Sequence, residues 1–203
     1  MARYRGPRVR ISRRFGQPIF GPSKYLERRG YPPGMHGPKK ARRKLSDYAL
    51  GLAEKQKLRY QYGLLERQFR RMFQMALKKR GVTGETLLQL LETRLDNVTF
   101  RMGLATTRPF ARQVVNHGHL RVNGRKVYTP SYQVKVGDVI EINDTAKTRQ
   151  LTTKSLESSQ IRPVPDWINF SKDSLRGQIM RMPTLDDIQP IVNTQMIVEF
   201  YSR

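Results

Sequence analysis

The sequence predicts an α+β fold: an all-helical domain joined to an α+β domain with short helices and a small, mostly antiparallel sheet, behind a basic, extended N-terminal arm. Three observations predict it. Residues 1–45 carry Gly-Pro at 6–7, 21–22 and 37–38 and show no apolar periodicity. From Ser46 to Met102 apolar residues recur at helical spacing. Beyond Gly118 the apolar runs shorten and are broken at Asn123-Gly124 and Gly137-Asp138, pairs that turn strands.

In the arm, YPPGMHG at 31–37 forms turns, and Glu27 is the only acid between Arg3 and Lys44. Such a segment buries too little apolar surface to offset its ordering entropy, so on its own it is expected to be largely disordered and to order against a polyanion. Ser46 is a good N-cap for DYALGLAEKQKLRYQY, which ends at Gly63. LLERQFRRMFQMALKKR follows and stops at Gly81. Its buried stripe is Leu65, Phe69, Met72, Phe73 and Ala76, while Arg67, Arg71, Gln74 and Lys78 line another face with Arg70 adjoining. A third helix opens after Thr83 and is expected to run through Leu87, Leu91, Leu95, Val98 and Met102. Thr107 caps RPFARQVVNH, with Pro109 in its first turn and Gly118 at its end.

LRV and RKV then make a hairpin around Asn123-Gly124, the pair that supplies the positive φ angles of a type I′ turn. YQVKV and VIEI read as two further strands, and residues 145–160 as a short polar helix. VPDWINF and GQIMRMP read as short strands or loops. Thr184 with Asp186 and Asp187 starts a helix, and MIVEFYS is an apolar run.

Charge is the dominant property of the 203 residues: 39 Lys and Arg against 16 Asp and Glu, a net of +23. Beyond Arg149, Lys154, Arg162, Lys172, Arg176, Arg181 and Arg203 are matched by Glu157, Asp166, Asp173, Asp186, Asp187 and Glu199, so the excess lies in the first three-quarters. Self-repulsion of this size points to a polyanionic partner, nucleic acid before a membrane surface. The chain has no cysteine, which excludes disulfides, a thiol nucleophile and cysteine-ligated metals. It has no apolar run long enough to span a bilayer, and its first residues lack the apolar core of a secretory signal.

VNHGHLRVNG at 115–124 invites a metal or catalytic reading, but no acidic residue lies between 115 and 127. His36, His117 and His119 are the only histidines. GxGxxG, GxxxxGK[ST] and GxSxG are all absent, so the chain is read as a non-enzyme. Geometry gives the stretch another use. Arg108 and Arg112, four apart, share a helical face beside Gln113, and the hairpin presents His117, His119, Arg121, Asn123, Arg125 and Lys126. Alternation turns Leu120 and Val122 inward and Arg121 outward. Guanidinium forks, imidazoles and an amide held by a tight turn suit phosphates, riboses and base edges of RNA.

RLDNVTFRMGLATTRPFARQVVNHGHLRVNGRKV at 94–127 resembles the RNA-binding module named after the fourth protein of the small ribosomal subunit. Pseudouridine synthases, some aminoacyl-tRNA synthetases and rescue factors share that module. MARYRGP, YPPGMHG, SDYALGLAEKQKLRYQYGLLERQF and IVEFYSR extend the similarity over the whole chain to the ribosomal family itself. A modifying enzyme would need a catalytic domain that the residues after the module cannot supply. A free chaperone would lack the long arm and the paired helices.

The resemblance implies a basic RNA-binding arm at 1–45, a helical domain at 46–93 completed by 184–203, and an inserted RNA-binding module with its sheet at 94–183. It implies a primary binder of small-subunit ribosomal RNA at a multi-helix junction of the 5′ domain, nucleating assembly of the subunit body in a bacterial cytoplasm or an organelle. Such a protein lies near the mRNA entry path, meets the fifth small-subunit protein, influences decoding accuracy and needs no membrane or homo-oligomer. Some members also repress their own message. The zinc-binding cysteines of many members are missing here, so no cofactor is expected.

The candidate RNA contacts in the arm are Arg3, Arg5, Arg8, Arg10, Arg13 and Arg14, then Lys39, Lys40, Arg42, Arg43 and Lys44. In the helical domain they are Lys55, Lys57 and Arg59 on the first helix and Arg67, Arg70, Arg71 and Lys78 on the second. The nine module residues from Arg108 to Lys126 named above complete the set.

Overall fold

A computed structural model of the chain describes residues 4–38, 46–159 and 163–202. They form two compact units. One contains the described residues up to Gln74 and those from Pro190 on; the other is Met75–Gln189. The division falls at 74/75 and 189/190 rather than at the expected 93/94 and 183/184, because the helix after Thr83 packs within the second unit.

In the first unit, α1 (Arg8–Phe15) and α2 (Lys24–Arg28) occupy the arm. These two short helices and their contacts add to the turns read from the sequence. Arg13 Nε donates to the carbonyls of Arg29 and Tyr31, both at 3.2 Å, and its guanidinium lies over the Tyr31 ring. Tyr4 and Phe20 meet Tyr60 of α3 (Asp47–Gln61), and Ile19 is buried. A few separated apolar residues thus find partners far along the chain, which no local periodicity signals.

Ser46 caps α3 by accepting from the Ala49 N–H. Phe69, Met72 and Phe73 of α4 (Glu66–Leu77) are buried as expected, with Leu64 rather than Leu65 fully enclosed. The closing apolar run is α10 (Thr194–Ser202), packed on α3 where Gly51 admits Phe200: a Cβ there would stand 3.3 Å from the Phe200 Cβ.

The second unit begins its helices with α5 (Thr83–Glu92) and α6 (Leu95–Arg101). The single helix expected through Leu87 and Met102 is broken because Arg94 is extended, with ψ of 137°. Around it, Leu95 N–H donates to the Tyr132 carbonyl, Asp96 N–H to that of Pro130, and Val134 N–H to that of Thr93. The same bonds explain why YQVKV is not a strand. Its polar groups are engaged at this junction, with only an isolated bridge between Arg94 and Gln133.

α7 (Arg108–Asn116) follows as predicted, and Thr107 Oγ1 accepts from the Phe110 N–H. The sheet contains β1 (Leu120–Val122), β2 (Arg125–Lys126), β3 (Val139–Ile142), β4 (Ile168–Ser171) and β5 (Arg176–Ile179). It is antiparallel throughout in the order β2-β1-β3-β5-β4. α8 (Ala146–Ser159) buries hydroxyls, because Thr152 and Ser155 bond back to the carbonyls of Thr148 and Leu151. α9 (Leu185–Ile188) is a single turn with a capping box from Thr184 and Asp187.

One core joins α6, α7 and the sheet through Leu95, Val98, Met102, Val115, Leu120, Ile140 and the lone Trp167. Beside it lies a buried ionic group. Asp96 accepts from Arg94 Nε and Nη2 at 3.1 and 2.7 Å and from Arg112 Nη1 at 3.1 Å. Glu92, wholly buried, accepts from Arg101 Nε and Nη2 at 2.9 and 2.8 Å and from Asn97 at 2.5 Å. Replacing Asp96 by alanine leaves buried guanidinium groups without their carboxylate, so urea unfolding should report a loss of about 3–5 kcal/mol.

Candidate nucleic-acid interface

The hairpin expected at 120–127 is present, with φ of 49° at Asn123 and 77° at Gly124, the geometry of a type I′ turn. Arg121 pairs with Lys126 across β1 and β2, and Leu120 and Val122 are buried beneath. Gly118, at φ 70°, reverses the chain between α7 and β1. The hairpin is fixed from below by side chains that no local pattern marks. Arg121 Nε donates to Asn143 Oδ1 at 3.2 Å, His119 Nδ1 lies 2.8 Å from Thr148 Oγ1, and Asn143 N–H donates to the His119 carbonyl.

Not every predicted contact is a surface group. Arg112 is only 6% exposed and bound to Asp96, so it holds α7 to α6 instead of facing a ligand. Arg108 is half-buried, donating to Asn97 Oδ1 at 2.8 Å with its guanidinium over Phe100. Asn123 donates to Asp138 Oδ1 and accepts from the Val139 N–H, both at 2.9 Å, so its amide locks the turn onto β3. Gln113, His117, Arg125 and Lys126 are exposed, and His119 and Arg121 are half-buried at the same edge. Tyr128, just past β2, is exposed too and was not among the predicted residues.

In the first unit, Lys55 is corrected outright. Its side chain is 7% exposed, and its ammonium donates to Glu66 Oε1 at 2.8 Å beneath the Phe200 and Tyr201 rings. Tyr201 Oη donates to the same oxygen at 2.9 Å. Burial alone raises the Glu66 carboxyl, but the bonds from Lys55 and Tyr201 outweigh it and its pKa falls below the ordinary value.

Lys57 is tied to Glu54 at 2.6 Å, and Arg59 to Gln56 and the Leu64 carbonyl, both with largely covered side chains. Arg67, Arg70 and Arg71 of α4 are exposed, as is Lys78 just beyond it. In the arm Arg5, Arg8, Arg10 and Arg14 are exposed, and Arg13 is half-buried in the bonds that join α1 to residues 29–32. Arg3, Lys39, Lys40, Arg42, Arg43 and Lys44 lie outside the described residues.

Among the described residues no group of three or more His, Asp or Glu side chains could hold a metal ion. No helix among them is long and apolar enough to cross a membrane. Each unit instead offers exposed cations, the first on α1 and α4, the second along the hairpin.

Residues 3–92 match the family model described as the ribosomal protein S4/S9 N-terminal domain, and residues 93–140 match the S4 domain. The chain is 60% identical to small ribosomal subunit protein uS4 of Opitutus terrae over 203 residues, the full length of both. It is 54% identical to the protein of that name from Akkermansia muciniphila and 50% identical to that from Amoebophilus asiaticus, again over both full lengths.

Replacing Arg125 and Lys126 together by alanine should lower affinity for RNA and reduce the slope of log K against log salt by about two. The melting temperature should not move, because both side chains are exposed. A second expectation concerns pH. Burial, then the charge of His117, lowers the His119 pKa below 6.5. The unfolded chain therefore binds this proton more tightly, so the stability from neutral His119 is present above about 6.5 and lost as pH falls through the folded value. In urea unfolding between pH 7.5 and about 5, His119→Gln should show a shallower decline than the parent chain.

Proposed function

The chain belongs to the family of small ribosomal subunit protein uS4, and from that premise we propose that it is a structural constituent of the small subunit that binds the 5′ domain of its ribosomal RNA. The site is a multi-helix junction, and binding there nucleates assembly of the subunit body. The family is one of structural proteins, not enzymes. The relatives reported above come from bacteria, so the protein is assigned to a bacterial cytoplasm as part of that subunit.

The observation that carries the reading is the hairpin edge. Arg125 and Lys126 stand exposed beside Arg121 and His119, and a type I′ turn and bonds to Asn143 and Thr148 fix the edge before any ligand arrives. A fixed array of cations recognises the spacing of phosphates in a folded RNA without reading bases one by one. The exposed arginines of α1 and α4 add further phosphate contacts from the other unit.

The finer proposals are that the protein lies near the mRNA entry path, meets the fifth small-subunit protein and contributes to decoding accuracy. No metal enters this reading, since the arm has no cysteine and is anchored by Arg13 on the Arg29 carbonyl and by Tyr4 on Tyr60 of α3.

Binding of the full chain to a transcript of the small-subunit 5′ domain, measured across salt, tests the central proposal. Neutralisation of about 6–10 phosphates should cost roughly 10³–10⁵ in affinity between 50 and 200 mM salt. Equal affinity for an unrelated RNA of the same length would overturn the junction assignment.

A further inference from the structure

We propose that Tyr128 is a stacking platform for an unpaired nucleobase, placed on the same face of the hairpin as its cations. The inference deepens the RNA-binding reading and rests on it.

The placement follows from register. Lys126 is paired with Arg121, and the Val127 N–H donates to the Leu120 carbonyl at 3.3 Å, so pairing continues one residue beyond β2. Side chains alternate across a strand. Lys126 and Tyr128 are exposed with half-buried Val127 between them, so ammonium and ring leave the hairpin on one side. Two residues of extended chain separate them by about 6.5 Å. At that range the ammonium can meet a phosphate of the strand whose base covers the ring.

The ring is also held. A Cβ on residue 118 would stand 2.3 Å from Tyr128 Cε1 and 3.1 Å from Cζ, so the phenol lies directly against the glycine that ends α7. Only glycine leaves that space, and only glycine readily takes its φ of 70°. Yet 58% of the residue remains open to solvent. An aromatic ring braced by backbone on one part and bare on the rest loses little side-chain entropy when a second flat group covers it. His117 is exposed at the same helix end, and Arg125 and Lys126 are exposed on the adjoining strand. Aromatic surface flanked by cations suits a single-stranded nucleotide, whose base needs a π-face and whose phosphates need positive charge. A base fully paired within a duplex cannot reach the ring, so the ligand is a bulged or loop nucleotide.

The test is equilibrium binding of the full chain to the 5′-domain transcript, with melting temperatures for each variant. Tyr128→Phe keeps the π-face and should bind like the parent. Tyr128→Leu keeps apolar cover on Gly118 but has no π-face, and with Tyr128→Ala it should weaken binding roughly five- to 150-fold. The salt slope should be unchanged in all three, whereas Lys126→Ala should lower it by about one. Two results overturn the stacking role while leaving RNA binding in place: Tyr128→Leu matching Tyr128→Phe, or Tyr128→Ala matching the parent at an unchanged melting temperature. The second would hand the ring to a protein contact. A parent chain that does not bind the transcript overturns both this inference and the reading beneath it.

Discussion

The Asp96 carboxylate is the constraint on which the hairpin side of the second unit depends. It holds Arg94, where the helical run is interrupted, and Arg112, in the middle of α7. Without the interruption, the helix through Leu91 and Leu95 would continue, and residues 130–134 would lose their backbone partners at 93–96. Without the tie to Arg112, α7 would be bound to α6 at its first residue, where Arg108 meets Asn97 and Phe100, and elsewhere by apolar contacts, which fix separation better than rotation. The orientation of α7 matters because its last turn leads through Gly118 into β1. A buried carboxylate with several charge-assisted donors is directional where the Leu95, Val98 and Val115 core is not.

Positive charge in this chain therefore divides into two populations. Arg94 and Arg112 are buried on Asp96, half-buried Arg101 is bound to Glu92, and buried Lys55 is bound to Glu66. These cations organise the fold. Arg125, Lys126 and the arginines exposed on α1 and α4 have no such enclosure and carry the field that attracts a polyanion. The internal pairs nearly cancel, so almost the whole excess of 39 Lys and Arg over 16 Asp and Glu is carried by the remaining residues.

That division explains what could be read before the structure was known. Thr107, Pro109, Gly118 and Asn123-Gly124 act within a few residues of themselves, so the capped helix and the hairpin were legible. So were the buried stripe of α4 and the helix start at Thr184, for the same reason. The fates of Lys55 and Arg112 were not. A basic residue on an amphipathic helix has the same local pattern whether its partner is a phosphate or a carboxylate 11 or 16 residues away. YQVKV alternated like a strand, but its hydrogen bonds were claimed by the break at Arg94. The arm's contacts were equally out of reach, since Tyr4 and Phe20 find Tyr60 across a gap no periodicity spans.

The hairpin edge shows how internal bonding and exposure combine in a surface suited to a polyanion. Arg121 and His119 each use one side-chain nitrogen inward, on Asn143 and Thr148, and remain partly exposed. Asn123 uses both ends of its amide, donating to the Asp138 carboxylate and accepting from the Val139 N–H, and Asp138 in turn accepts from the Lys135 N–H. Each such bond lowers the entropy still to be lost when a ligand binds. The groups left fully outward, Arg125 and Lys126, sit on the two-residue strand that these bonds hold in place. The hairpin can be short because its rigidity comes from β3, α8 and the turn, not from its own length. A longer strand pair would add backbone without bringing cations closer to one another.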